Sequence, residues 1–283
     1  MSGDTSAPVP LARAPVEAAV GASELLLDTW RTLDLDRVFA DFSHHGYARL
    51  GHVLSPSGIA LLAQRSDDLM MGRKRYADLF FQHDSPSGRY ADLSYGKGWV
   101  GPSRHYRKLE RLELDPLFRA WIENPLFERL ARSHLGDAVS LYRAVLWNKA
   151  ASAGTELPWH QDDGNFWGID RRPSLQIWTA VDNAPLAAGC LRVLPGSHLA
   201  GLASPEGGTV QAHTLAQHEA QLKGEAIPVA AGESILIHNH LWHCSGRNAT
   251  QAPRRALGIS YLHAATRCLR RRRAPREFLR LFE

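Results

Sequence analysis

The sequence predicts a mainly β fold with flanking helices (α+β), in which an antiparallel β-sandwich or barrel follows a helical N-terminal third. The main observation is a series of short apolar segments, separated by turn residues, in the second half of the chain. These segments are Ser140–Ala150, Leu175–Asp182, Gly189–Leu194, Gly232–His238 and Arg254–His263. Jelly rolls and cupins are common folds with this pattern of strands.

The N-terminal third is predicted to be helical. Apolar side chains at near-helical spacing predict a helix from Ser23 to Phe42, and Gly46–Leu50 is a candidate strand. Three further helix starts combine an N-cap residue with a first-turn proline. They are Ser55-Pro56, Asp115-Pro116 and Asn124-Pro125. We expect the first of these helices to end near Met71 and the last at Gly136.

Length and composition favour one folded domain after a short tail. Residues 1–22 are rich in Ala, Pro, Ser and Gly, so we expect a disordered tail, followed by a single domain over residues 23–283. A hydrophobic content of 44% supports a core. Three widely spaced cysteines, and the lack of a long apolar run or signal-peptide pattern, indicate a cytoplasmic protein without a membrane span.

Positive charge is concentrated in two places, although the formal net charge is only +4. Arginines crowd the C-terminus from Arg267 onward, where a solvated basic helix is favoured over a nucleic-acid-binding surface, so no nucleic acid is expected as a partner. Residues 72–107 lack a regular pattern and are a candidate lid or binding loop. Basic residues at its end could meet an anion, but a solvated basic loop is favoured. These residues are Arg104, His105, Arg107 and Lys108.

A His-x-Asp pair, His160 and Asp162, is the strongest chemical signal in the chain. On an extended strand, residues two apart point to the same side, so this imidazole and carboxylate project together. The pair is preceded by Pro158-Trp159 and followed by Gly164, which places it where a strand meets a loop. Such a pair occupies two positions of a divalent metal and needs a third ligand.

The third ligand is expected from a downstream cluster of histidines, His238, His240 and His243. Two histidines and one carboxylate on one face of a metal, with the other face open, are typical of non-haem Fe(II) oxygenases. Spacing alone leaves the choice among the three histidines open.

Arg254 is predicted to lie inside the barrel. Arg254 and Arg255 begin a strand and must face opposite ways. Small residues (Ala256, Gly258 and Ser260) share the face of Arg254, whereas bulky ones share the face of Arg255. Because a buried guanidinium needs an anion and carboxylates bind it in a bidentate way, a dicarboxylate cosubstrate is a reasonable partner.

These motifs together resemble the phytanoyl-CoA dioxygenase family of Fe(II)/2-oxoglutarate oxygenases over roughly Tyr142 to Tyr261. The matching blocks are Trp159-His160-Gln161-Asp162, Trp178-Thr179-Ala180, Gly189-Cys190-Leu191, Leu194-Pro195-Gly196-Ser197-His198, His243-Cys244-Ser245-Gly246, Asn248 and Arg254. The resemblance implies a double-stranded β-helix (jelly roll, cupin-like) core.

The resemblance also implies the roles of individual residues. The family's last metal ligand lies two residues before a Ser and eleven before the cosubstrate Arg, which selects His243 as the ligand beside His160 and Asp162. Arg254 would then bind the distal carboxylate of 2-oxoglutarate, with a hydrogen bond from Ser245. Lys149 and Trp178 fall where the family lines its cosubstrate pocket, and core packing is an equal alternative for Trp178.

Other residues near the motifs receive simpler interpretations. His198 is expected to be a turn residue of the scaffold and not a metal ligand. Cys190 and Cys244 are expected to be small buried side chains rather than nucleophiles. Asn165 and Trp167, which follow the metal pair, are candidate substrate contacts.

The implied reaction hydroxylates a small organic molecule, such as a secondary metabolite, an amino-acid derivative or an acyl compound. It consumes O2 and 2-oxoglutarate and releases succinate and CO2, with ascorbate as a candidate reductant. Related halogenases carry a small residue at the position of Asp162, so the carboxylate here favours hydroxylation, desaturation or cyclisation. Two alternatives stay open: a cupin-like metal-binding module without turnover, and a zinc hydrolase, which would leave Arg254 unexplained.

Overall fold

Two antiparallel sheets form the centre of the protein, in a computed structural model that describes residues 21–96, 98–270 and 276–283. In spatial order the larger sheet contains β1 (Tyr47–His52), β10 (Glu233–Ile237), β6 (Leu175–Ala180), β12 (Arg254–His263), β4 (Val139–Lys149), β3 (Tyr106–Glu110) and β2 (Phe80–His83), and β13 (Leu279–Phe282) also pairs with β4. The smaller sheet contains β8 (Gly208–Thr209), β5 (Leu157–Gln161), β11 (His243–Ser245), β7 (Leu191–Val193) and β9 (Glu225–Ile227). The predicted mainly β architecture with flanking helices is confirmed.

The helices are short and precede or connect the strands. They are α1 (Ala22–Leu25), α2 (Leu35–His45), α3 (Pro56–Met70), α4 (Pro116–Ile122), α5 (Pro125–Leu135), α6 (Ala212–Gln217) and α7 (Ala220–Lys223). The three predicted caps are present: Ser55 accepts from the Gly58 amide, Asp115 from that of Leu117, and Asn124 from that of Phe127. Each cap is followed by a first-turn proline, as predicted.

The prediction of one helix from Ser23 to Phe42 is wrong. The chain forms α1, a 3₁₀-helix over Asp28–Thr32 and then α2. Leu26 pairs with Leu54 in an isolated β-bridge, and the Leu27 amide donates to Val53 O at 2.8 Å. This extended pairing interrupts the helix, so tertiary hydrogen bonds override the local apolar spacing.

Two further predictions about secondary structure are corrected. The sequence predicts no regular structure for residues 72–107, but β2 and the start of β3 lie within them, and Arg107 and Lys108 belong to β3. In the C-terminal region, the described residues 276–283 contain a strand, β13, rather than a basic helix. Arg271, Arg272 and Arg273, like most of the predicted 1–22 tail, lie outside the described residues.

The two faces of β12 have different roles, as the alternation of small and bulky residues along this strand predicts. Leu257, Ile259 and Tyr261 belong to the apolar core that includes residues of α3, α4 and α5. Ala256 packs in a second core between the two sheets, and Gly258 lines a pocket there. One face of the large sheet therefore packs on helices, while the other is available for a site. No helix in the described parts of the chain is long and apolar enough to span a membrane.

Gly164, just after the His-x-Asp pair, lies against the backbone of a neighbouring segment, and its substitution tests how close that approach is. Its φ is +129°, and a Cβ there would lie 1.9 Å from the Glu206 carbonyl oxygen. We expect Gly164→Ala to lower the free energy of unfolding by about 3 kcal/mol, since backbone strain and a backbone clash add together. The change is measured by chemical denaturation.

Gly51→Ala is the matched control, because Gly51 also has a positive φ (+71°) but a Cβ added to it would meet nothing within 4 Å. Strain alone should cost about 1 kcal/mol there. Equal losses in the two variants would contradict the close approach at Gly164.

Candidate active site

The pairing of β5 with β11 brings two distant histidines together. His160 and His243 are direct cross-strand partners, and their ring centroids are 4.0 Å apart. Asp162 follows the end of β5, where its carboxylate lies 4.0 Å from His160 Nε2 and 3.6 Å from His243 Nε2. One ligand atom from each of the three residues lies within 4.8 Å of the others. These distances allow one metal ion to be shared by all three.

Both imidazoles are oriented for metal binding by their second nitrogen. His160 Nδ1 lies 2.8 Å from Pro158 O, and His243 Nδ1 lies 2.9 Å from Leu241 O. A carbonyl accepts only from a protonated nitrogen, so each Nδ1 carries the proton and each Nε2 keeps a lone pair directed at the site. Burial, with a smaller contribution from His243, lowers the pKa of His160 to about 3, which favours its neutral form. The donor set therefore fits a divalent metal.

Asp162 is held by two residues that the sequence interpretation missed. Arg143 Nη2 donates to Asp162 Oδ1 at 3.0 Å, and Gln176 Nε2 donates to Oδ2 at 2.9 Å. Ser260 donates to the Gln176 carbonyl at 2.9 Å and so fixes the orientation of that amide. Burial acts to raise the pKa of Asp162, but Arg143 and the histidines hold it well below its usual value. Arg143 shares a face of β4 with Lys149. This alternation along the strand was the sequence signal that could have indicated that Arg143 points toward the site.

Arg254 and Lys149 form a buried, positively charged region beside the three candidate ligands. They are cross-strand partners on β12 and β4, and both are at most 5% exposed. Within the described chain Arg254 forms no ion pair, and its Nε has no hydrogen-bond partner. Burial lowers the pKa of Arg254 to about 10, and burial together with Arg254 lowers the pKa of Lys149 well below its usual value.

All seven predicted site residues line one cavity between the sheets, which we call the inner pocket. They are Lys149, His160, Asp162, Trp178, His243, Ser245 and Arg254. The Arg254 guanidinium carbon lies 5.9 Å from the Trp178 ring centroid, and Lys149 Nζ donates to Thr155 O at 2.6 Å. Trp178 also belongs to the apolar core between the sheets, so its two suggested roles are compatible.

The remaining histidines of the downstream cluster lie elsewhere. His240 Nε2 is 2.8 Å from the buried carboxylate of Asp163, and His238 packs against His198 with ring centroids 5.1 Å apart. His198 itself lies in a 3₁₀-helix, where its Nε2 donates to Ser43 O. None of the three lines the inner pocket.

Both cysteines near the motifs are buried, as expected for packing residues. Cys190 is 1% exposed and Cys244 is 9% exposed. Burial raises the pKa of Cys244 to about 11, which disfavours the reactive thiolate.

A second cavity, the outer cavity, opens beside the inner pocket and shares His160, Asp162, Trp147 and Arg107 with it. Arg107 is 8% exposed, so the expected solvated basic loop is wrong for this residue. The strand alternation of β3 turns Arg107 inward, and the irregular sequence pattern of this segment gives no sign of that strand. Phe166 lines the outer cavity, whereas its neighbours Asn165 and Trp167 do not.

The fold and the site define a double-stranded β-helix protein with two histidines and one carboxylate beside a buried arginine. A family model described as phytanoyl-CoA dioxygenase (PhyH) matches residues 42–256. The chain belongs to this family, which confirms the resemblance inferred from the motifs.

Curated relatives and solved structures agree with this assignment. The phytanoyl-CoA dioxygenase domain-containing protein 1 of Bos taurus is 28% identical over 179 residues, or 60% of this chain and 62% of that protein. The peroxisomal phytanoyl-CoA dioxygenase of Rattus norvegicus is 26% identical over 210 residues, or 69% of this chain and 61% of that protein. The matches thus span about three fifths of these relatives' length.

Two solved structures share the fold at low sequence identity. The apo form of EctD from S. alaskensis aligns with a TM-score of 0.68 and 22% identity, covering 87% of this chain and 83% of that chain. The epimerase SnoN in complex with Fe3+, alpha ketoglutarate and nogalamycin RO aligns with a TM-score of 0.67 and 19% identity, covering 87% and 98%. At this identity the structures establish the shared fold.

The hydrogen bonds to Asp162 lead to a prediction about metal affinity. We expect Gln176→Leu to weaken Ni(II) binding about tenfold, because the Asp162 carboxylate loses the donor that orients it. Ser260→Ala leaves Gln176 in place but unanchored, so its effect should be smaller. Isothermal titration of both variants measures the two affinities; wild-type affinity in Gln176→Leu would show that this hydrogen bond does not position the carboxylate.

Proposed function

We propose that the protein is an Fe(II)/2-oxoglutarate-dependent dioxygenase that hydroxylates a small organic molecule and releases succinate and CO2. His160, Asp162 and His243 hold the metal. Family membership supports this proposal, as does the donor set, which matches the two-histidine, one-carboxylate arrangement of non-haem iron oxygenases.

The observation that carries the proposal is the buried positive charge next to the candidate metal ligands. Arg254 has no carboxylate partner in the described chain, and Lys149 lies directly across from it. Two adjacent buried cations are costly unless an anion compensates them. The distal carboxylate of 2-oxoglutarate supplies that anion, with Ser245 adding a hydrogen bond. A zinc hydrolase would leave these cations unexplained, so that function is not favoured.

When bound, Fe(II) would supply the activation of O2, coupled to the oxidative decarboxylation of 2-oxoglutarate. The protein's own groups provide positioning. The carbonyls of Pro158 and Leu241 keep each Nδ1 protonated and each Nε2 free for the metal. Arg143 and Gln176 hold the Asp162 carboxylate, and Arg254 fixes the far end of the cosubstrate. The apolar cluster around Trp178 forms one wall of the inner pocket.

The carboxylate of Asp162 favours hydroxylation, or a related desaturation or cyclisation, over halogenation, because it fills the space that a halide would need. Ascorbate is the proposed reductant that maintains Fe(II). We propose a cytoplasmic location without nucleic-acid partners, although several relatives are named as peroxisomal.

The assigned roles predict opposite losses in two variants. Arg254→Met should weaken 2-oxoglutarate binding about 100-fold while metal affinity stays within about threefold, because only the bidentate carboxylate contact is removed. Asp162→Ala should weaken metal binding at least about 100-fold and leave 2-oxoglutarate binding to the metal-free protein unchanged. Isothermal titration with Ni(II) and with 2-oxoglutarate measures both; parallel losses of both ligands in both variants would contradict the roles.

Turnover separates the dioxygenase from its alternatives. With Fe(II), O2 and a panel of candidate metabolites, we expect succinate to form in proportion to 2-oxoglutarate consumed, and zinc or a chelator to abolish it. A binding module would bind 2-oxoglutarate without forming succinate under any of these conditions. Hydrolysis that continues with zinc in the absence of oxygen would support the hydrolase instead.

A further inference from the structure

Arg107 is a buried cation that the reaction proposed above does not use. It is 8% exposed and lines both the inner pocket and the outer cavity. Its Nη1 donates to the side-chain carbonyl of Gln82 at 2.7 Å, and its guanidinium carbon lies 5.4 Å from the Trp147 ring centroid. Among the described residues, no carboxylate lies within ion-pair distance of Arg107. Both observed partners are neutral, so no ion pair with the described residues compensates the charge of the guanidinium.

The other cations of the outer cavity are already paired. Lys108 Nζ lies 2.5 Å from a carboxylate oxygen of Glu110, and Arg143 is bound to Asp162. Burial lowers the pKa of Arg107, and the smaller opposing contributions of Tyr90 and Asp84 involve no ion pair. Of the three cations lining this cavity in the described chain, Arg107 is therefore the one left to bind an anion.

Gln82 holds Arg107 in a defined orientation. While its carbonyl accepts from Arg107, its amide nitrogen donates to Ser94 O at 2.8 Å. A guanidinium fixed in this way loses little side-chain freedom on binding, which favours affinity. The cavity has a volume of about 500 Å³, within the range of roughly 300–1,000 Å³ usual for small-molecule sites. Trp147 and Phe166 add aromatic surface to its walls.

We propose that the outer cavity binds a substrate carrying an oxyanion, a carboxylate or a phosphate group, and that Arg107 binds this group while the apolar or aromatic remainder contacts Trp147 and Phe166. This inference rests on the proposed function, since it takes the inner pocket to be filled by 2-oxoglutarate. In the proposed function Arg254 binds the distal carboxylate of the cosubstrate, and the metal would hold its other end. A second anion is then required for Arg107.

Probes that differ only in charge test the inference. Ni(II)-loaded protein saturated with 2-oxoglutarate is titrated with phenylacetate, phenyl phosphate and the neutral phenylacetamide. We expect at least one of the two anions to bind about tenfold more tightly than the amide, and the tighter of the two identifies the oxyanion. In Arg107→Met this preference should fall to within about twofold, whereas Arg107→Lys, which keeps the charge, should retain part of it.

Arg104→Met is the matched control, because it removes the same charge from an exposed residue paired with Asp67 just before β3. It should leave the preference for the anion unchanged. Affinity for 2-oxoglutarate and the melting temperature should stay at wild-type values in Arg107→Met. If Arg107→Met is unstable, the preference for the anion is compared among wild type, Arg107→Lys and Lys108→Gln instead. Lys108→Gln should keep the full preference for the anion over the amide.

Three results would overturn the inference. The first is that wild type binds the anions and the amide with equal affinity, or binds none of the probes. The second is that Lys108→Gln loses as much of the preference for the anion as Arg107→Met, and the third is that Arg107→Met weakens the affinity for 2-oxoglutarate rather than for the probes. The last would assign Arg107 to the cosubstrate site. Failure of wild-type protein to bind 2-oxoglutarate would contradict the proposed function instead, and it is detected before any probe is added.

Discussion

The site depends on the register between β5 and β11. Side chains alternate along a strand, so a slip of one residue would turn His160 or His243 to the opposite face and separate the three candidate ligands. Pairing of His243 with Val193 on the other side of β11 restrains the register. The turn after β5 is fixed too, because the Asp162 amide donates to Asn239 O at 2.8 Å and Asn239 Nδ2 donates to Asp162 O at 2.9 Å. These two hydrogen bonds thus join segments about eighty residues apart at Asp162, one of the candidate metal ligands.

The positively charged side chains between the sheets carry a free-energy cost of burial. Lys149, Arg254 and Arg107 line the same pocket, and each has a pKa lowered first by burial. Desolvated like charges destabilise the folded chain, and a bound anion relieves this penalty. In the proposed function, the cosubstrate and the substrate relieve this penalty when they bind, which favours the binding of a small dicarboxylate by few contacts.

The parts of the site that follow from strand alternation could be predicted from the sequence. The shared side of His160 and Asp162 and the inward direction of Arg254 are examples, and both agree with the structure. Arg143 and Arg107 were missed for different reasons. Arg143 shares a face of β4 with Lys149, but its contact with Asp162 joins the two sheets and is a tertiary contact. Arg107 lies on a strand whose apolar pattern is too short to recognise. The helix predicted from Ser23 to Phe42 failed because pairing between Leu26 and Leu54 is a tertiary contact.

The fold can carry this site because the two faces of the larger sheet have different roles. Its helix-facing side contributes Leu146, Leu257 and Ile259 to the principal apolar core, which stabilises the fold. On the inward side, β12 carries the small residues Ala256 and Gly258 beside Arg254. Gly258 shows how limited that space is, because a Cβ at this position would lie 2.9 Å from Trp147 Nε1. A larger residue there would displace Trp147 or fill the space beside it, and both residues line the inner pocket, so the small face of β12 preserves the volume of that pocket.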